Sequence, residues 1–417
     1  MPTPNVYAHG DPAPFAEVPL ERRSNRVEVL YLTDRALEEG STPDKPEYGH
    51  KRSRSVAFGV CEVRFGQNVS WEELVKASTN RKRSTNLGVE LTKSTELCRF
   101  PPTPRTLVEP PVPLGTTQPD TMLQADHDPA LRVARAEFTD RLAASEVKDV
   151  YLFVHGVKTS FAESVTTIAE LWHFLGRQGV AIAYSWPAGG RGLLRGYNYD
   201  YNSSEFTVYH LKQTLRAIAA FPEVRRIHII AHSRGSDVVV SAVRELHLET
   251  AAAGRSTREV FKLGTLVLAA PDLDVDVVIQ RAVTARLGQV PERTVVYICE
   301  KDEALRLSRF LFGSMRLGKL QPNIFTSAEL ETLRLSKTVA VIDARLQKPG
   351  PFGHSYFYSN PAVSSDLILL LRYHAPPGAE HGRPLRVSRN GFWYIDDKYP
   401  ASQPARPASS RRAADAH

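Results

Sequence analysis

The segment Arg226-Ile-His-Ile-Ile-Ala-His-Ser-Arg-Gly-Ser236 constrains the fold more than any other stretch of the chain. An apolar run stops at a serine that has small residues two places before it, Ala231, and two places after it, Gly235. It reads as a buried strand turning sharply into a helix, with Ser233 at the apex. Such a turn lifts a serine Oγ clear of its own backbone, and its flanking positions come so close together that both must be small. Gly235 meets that demand fully, whereas Ala231 stands where a strict G-x-S-x-G pattern has glycine. A short strand followed by a serine-containing turn also occurs in other α/β proteins, so the rest of the chain decides what this one means.

The other parts of a nucleophilic serine site follow in a consistent chain order. Upstream, the buried-strand sequence Val150-Tyr-Leu-Phe-Val-His-Gly156 ends in a loop at Val157. One oxyanion donor in such sites comes from a strand–loop junction of this kind and the other from the residue after the nucleophile, which indicates the N–H groups of Val157 and Arg234. Gly156 lets backbone approach without a side chain in the way. Downstream, the strand-like run from Thr265 ends in Asp272, Asp274 and Asp276, and the next, from Arg293, ends in Glu300 and Asp302. Counting strands past the turn favours Asp302 as the acid and keeps Asp272 in reserve. The alternative for Asp272 is an N-cap of the helix that follows. Of thirteen histidines, His354 lies on a Gly- and Pro-containing loop beyond the run 338–343, where its ring can reach Ser233. The order Ser233, Asp302, His354 is that of the α/β-hydrolase arrangement and differs from the chymotrypsin and subtilisin orders.

Phe153-Val-His-Gly156, Tyr184-Ser-Trp-Pro187, Ile230-Ala-His-Ser-Arg-Gly235, Ala270-Pro-Asp272, Asp302-Glu-Ala-Leu305 and Gly353-His-Ser-Tyr-Phe357 together resemble the α/β-hydrolase family of unknown function DUF900. Val29-Leu-Tyr-Leu-Thr-Asp-Arg35 and Tyr48-Gly-His-Lys-Arg-Ser53 resemble the start of such domains. The resemblance extends over roughly residues 26–67 and 130–373. It implies an α/β-hydrolase fold and a serine hydrolase, with no substrate. In that family alanine is common at the position of Ala231. Methionine usually follows the serine, so Arg234 is a departure that places a cation beside the nucleophile.

Strand-like segments at 27–33, 56–65, 150–154, 180–185, 226–231, 264–269, 293–299 and 338–343, with amphipathic helices between the later ones, predict a doubly wound, mainly parallel sheet with helices on both faces. The expected organisation is an N-terminal arm (1–25), a hydrolase domain (26–375), a C-terminal extension (376–400) and a disordered basic tail (401–417). Residues 66–128, polar and Pro-containing, are expected to be an excursion with little core of its own. The loop from Tyr184 carries Trp186, Tyr197 and Tyr199. With His155 these are candidate pocket residues, the alternative being aromatics packed on the domain. Arg234, Arg306 and Arg309 are expected to give the site a basic rim suited to anionic esters.

A hydrophobic content of 42% supports a large core. No apolar run approaches the ~18–20 residues that span a bilayer. The start of the chain lacks the pattern of a secretion signal. Three widely spaced cysteines suit a reducing, cytoplasmic setting. The net charge of +7 comes without a nucleic-acid-binding signature, so no nucleic-acid partner is expected. No cofactor or metal is expected either. Two rival readings are a non-catalytic binding scaffold on the same fold and a lipase or phospholipase at an anionic membrane surface. The basic clusters permit the second, but no strongly amphipathic basic helix accompanies them.

Overall fold

The computed structural model describes residues 1–8, 14–81, 87–104, 129–192, 194–347, 351–388 and 391–400 of the chain. Its strands are β1 (Arg26–Leu37), β2 (Tyr48–Phe65), β3 (Val89–Arg99), β4 (Asp149–Val154), β5 (Val180–Ser185), β6 (Arg226–His232), β7 (Leu263–Ala269), β8 (Arg293–Ile298), β9 (Val339–Arg345), β10 (Arg386–Val387) and β11 (Trp393–Asp396). They form one sheet in the order β10-β11-β9-β8-β7-β6-β4-β5-β1-β2-β3. Every pairing from β11 to β1 is parallel, and antiparallel pairs close both ends.

Continuous apolar runs suit strands covered on both faces, and β4, β5 and β7 are buried at every position. Val150, Leu152, Val154, Ile229 and Ala231 join the core on one face, whereas Tyr151, Phe153 and Ile230 join the core on the other. The helix Phe161–Phe174 leads from β4 to β5 and packs into the second core. The helix Leu194–Ala219 leads from β5 to β6 and packs into the first. The chain therefore leaves β4 towards one edge and returns on its other side as β6. That reversal is a topological switch point at the C-terminal ends of β4 and β6, the place where open parallel sheets bind ligands.

The periphery adds to the sheet and its cores in three places. Part of the stretch 66–128 is structured: the helix Trp71–Thr79 starts with a Ser70/Glu73 capping box, and β3 pairs along β2. Its Leu74 and Phe100 are buried, so this stretch contributes to the core. The arm before β1 buries Tyr7, Phe15 and Val18, with the Phe15 ring stacked on His173. The extension after residue 375 supplies β10 and β11 to the sheet, tied down by a fully buried Arg383–Asp366 pair at 2.6 Å and by Tyr399 Oη donating to Asp366 at 2.7 Å. The tail 401–417 and residues 105–128 lie outside the described residues. Among those described, no helix is long and apolar enough to cross a membrane.

Candidate active site

Ser233 sits between β6 and the helix Gly235–Ala252 with φ of 53°, a left-handed conformation that is costly for a residue with a side chain. Local hydrogen bonds hold it there. Its N–H donates to Ala269 O at 2.9 Å, and its carbonyl accepts from Ser236 N at 3.1 Å and Asp272 N at 3.2 Å. Lys158 after β4 (φ 56°) and Ala270 after β7 (φ 48°) share the left-handed conformation, so backbone strain gathers at the ends of three neighbouring strands. The glycines predicted around the turn are sterically required. A Cβ on Gly235 would lie 2.3 Å from His155 O, and one on Gly156 would lie 2.8 Å from Ser233 Cβ.

Asp302 and His354, 52 residues apart in the chain, meet through His354 Nδ1–H donating to Asp302 Oδ2 at 2.7 Å. Asp302 is fully buried. Its other oxygen, Oδ1, accepts from Leu305 N at 2.9 Å and so caps the helix Glu303–Phe312. A neighbour that sequence reasoning passed over, His232, fixes the backbone of the histidine loop: its Nε2–H donates to His354 O at 3.1 Å, and the two rings lie 4.8 Å apart. Burial, then the adjacent His354, push the His232 pKa down to about 3, so the ring is neutral. Among the described residues no hydrogen bond joins His354 to Ser233 Oγ, and none is donated by the N–H of Val157 or of Arg234. Arg234 follows the serine directly, and Val157 follows Gly156, whose backbone packs against Ser233.

Asp272, the reserve candidate for the acid, has other partners. It is buried, receives Ser308 Oγ at 2.8 Å and Tyr197 Oη, and lies 3.5 Å from Arg316 Nε. It thereby joins the helix Glu303–Phe312 to the helix Leu194–Ala219. The cap expected of it belongs to Asp274, which accepts from Asp276 N and Val277 N.

The pocket expectation is corrected for His155 and Trp186. Both are wholly buried, with rings stacked 5.1 Å apart and Trp186 Nε1–H donating to His155 O at 2.7 Å. Tyr199 donates to His50 O at 2.9 Å, and Tyr197 is engaged by Asp272. Arg234 does not form a basic rim. Its buried guanidinium turns back onto the helix Leu194–Ala219, 3.9 Å over the Tyr201 ring, and pairs with Asp237 at 2.9 Å and Ser204 Oγ at 3.0 Å. Arg306 is paired with Glu303.

One further titratable group lies at the opposite end of the sheet. Asp149 Oδ2 is 3.4 Å from both His228 Nε2 and His374 Nε2. His228 Nδ1 accepts from Thr265 N at 3.1 Å, which leaves the proton on Nε2 and removes the lone pair a metal would need. These residues suit a buried carboxylate held between imidazoles.

Among known proteins, the family described as "Alpha/beta hydrolase of unknown function (DUF900)" matches residues 131–372. No curated protein matches the chain. Two solved structures are similar to parts of it. A protein described as a cell surface hydrolase from Lactobacillus plantarum is 11% identical, covers 55% of this chain and 92% of its own, and has a TM-score of 0.29. A lipase-esterase related protein from Clostridium acetobutylicum is 14% identical, covers 49% of this chain and 76% of its own, and has a TM-score of 0.20.

Proposed function

The chain belongs to the α/β-hydrolase family of unknown function DUF900, and from that premise we propose that it is a serine hydrolase that cleaves a carboxylic ester or related acyl bond through Ser233, Asp302 and His354. The observation that carries this reading is the Asp302–His354 hydrogen bond, linked through His232 to a serine held at positive φ. His354 Nε2 takes the proton of Ser233 Oγ as the oxygen attacks the substrate carbonyl carbon. Asp302 keeps the ring in the required tautomer and stabilises the imidazolium that results. The Ser–His hydrogen bond of such sites commonly tightens only in the substrate complex. The N–H groups of Val157 and Arg234 receive the developing oxyanion, each contributing on the order of 3 kcal/mol. Collapse of the tetrahedral intermediate expels the alcohol, protonated by His354, and leaves an acyl-Ser233. Water, deprotonated by the same histidine, then releases the acid. The substrate is a small-molecule ester or acyl compound.

Labelling with a fluorophosphonate probe tests the reading. The folded wild type is expected to be labelled at one serine, and Ser233→Ala is expected to abolish labelling while keeping the melting temperature. A folded wild type that resists the probe and leaves a panel of p-nitrophenyl esters intact would overturn the assignment.

A further inference from the structure

Val157, the proposed oxyanion donor, lies on a loop after β4, and the sequence around it contains nothing that fixes the direction of its N–H. In the fold, two buried ions of opposite sign grip that loop. Asp200, on the helix Leu194–Ala219, is fully buried. Its Oδ2 accepts from Lys158 N at 2.8 Å, and its Oδ1 accepts from Gly189 N and Gly190 N, both at 2.9 Å. Arg35, near the end of β1, is 1% exposed and donates to the carbonyls of the same two loops: Thr159 O at 2.7 Å and Ala188 O at 2.8 Å. It also donates to Gly49 O and Ser185 Oγ, both at 2.9 Å. The carboxylate takes N–H groups and the guanidinium takes C=O groups.

Between them stands His155. Arg35 Nη2 approaches His155 Nε2 at 3.3 Å, and His155 Nδ1 lies 2.7 Å from Gly156 O. Burial, then the Arg35 charge, disfavour protonation of this ring. A neutral imidazole that accepts from Arg35 at Nε2 must carry its proton on Nδ1 and donate it to Gly156 O. Gly156 C=O and Val157 N–H belong to one planar peptide unit and point in opposite directions. A donor fixed on that oxygen therefore sets where the N–H points, and polarises it as well.

We propose that Asp200 and Arg35, the latter through His155, are positioning residues that hold the Gly156–Val157 peptide with its N–H aimed at the oxyanion. The inference rests on the reaction proposed above. Neither ion touches the substrate, and neither takes part in proton transfer.

The experiment compares wild type, Asp200→Asn and His155→Phe, with rates expressed per active site titrated by the fluorophosphonate probe. Asn keeps an acceptor for the Gly189 and Gly190 N–H groups but presents an NH2 group to Lys158 N. Phe keeps the stack on Trp186 but loses the donor to Gly156 O. Each variant is expected to lose about 10- to 100-fold in kcat, less than the roughly 10²- to 10³-fold that follows removal of an oxyanion donor itself. KM is expected to stay within about threefold, because the oxyanion forms only in the transition state. Affinity for a trifluoromethyl ketone, whose adduct with Ser233 carries an oxyanion, should fall in step with kcat. A merely structural role would lower the melting temperature and the number of titratable sites, leaving kcat per site and ketone affinity unchanged. That outcome overturns the inference while the proposed reaction stands. If one variant does not fold, the other decides. A folded wild type that resists the probe and leaves the ester panel intact overturns both.

Discussion

Asp302 serves two structures at once, with Oδ1 on the N-terminus of the helix Glu303–Phe312 and Oδ2 on His354 Nδ1. Asparagine caps a helix about as well as aspartate does, but it cannot hold the imidazole in the productive tautomer. Asp302→Asn is therefore expected to lower kcat by roughly 10⁴-fold with little change in melting temperature. Asp272→Asn should behave oppositely, staying within about tenfold in kcat while weakening the contacts to Tyr197 and Ser308. Steady-state kinetics and thermal melts on both variants check the division of roles, and a reversed pattern would make Asp272 the acid. The candidates Ser233, Asp302 and His354 could be picked out in the sequence because each follows the end of a strand and strand ends show in local hydropathy. Asp200 was not singled out, although a glycine-rich loop with unsatisfied N–H groups signals the need for an acceptor. Arg35 left a trace too, since Asp34-Arg35 puts two adjacent charges within the strand just after the apolar run Val29-Leu-Tyr-Leu32.

The elements that escaped sequence reading are the edges of the sheet. β3, at the edge of the sheet, contains Glu, Lys, Thr and Ser and buries none of its residues fully, and β10 and β11 are only two and four residues long. Short or charged strands are how sheets protect their edges, and they erase the apolar signature that marks the central strands. The extension that carries β10 and β11 is anchored by Arg383 on Asp366, both fully buried. Arg383→Met would leave that carboxylate without its cation in the interior. The expected loss is about 3–5 kcal/mol in urea unfolding, and a loss below about 1 kcal/mol would show the extension to be an appendage.

At the scale of the whole molecule, the buried imidazoles make stability depend on pH. His155, His228 and His232 all have lowered pKa values, first because burial penalises their charged forms. For His232 the ordinary value of 6.5 falls to about 3. Between those limits the unfolded chain binds a proton there that the native chain does not. Stability is thus complete above about pH 6.5 and declines as the pH falls towards about 3, by up to about 1.4 kcal/mol per pH unit for that residue. Chemical denaturation from pH 7 to pH 4 should show this decline, with a shallower slope for His232→Gln; equal slopes would contradict it. By itself the sequence determined the alternation of strands and helices, the sharp turn at Ser233 and the order serine, acid, histidine, since each is written in the hydropathy and size of residues near one another in the chain. Only the tertiary structure decided that Asp302 meets His354, that Arg234 turns away from the site, that His155 and Trp186 are buried, and that Arg35 and Asp200 close on one loop. Those outcomes depend on which distant segments the sheet order brings together, and local periodicity contains no record of a partner 50 or 150 residues away.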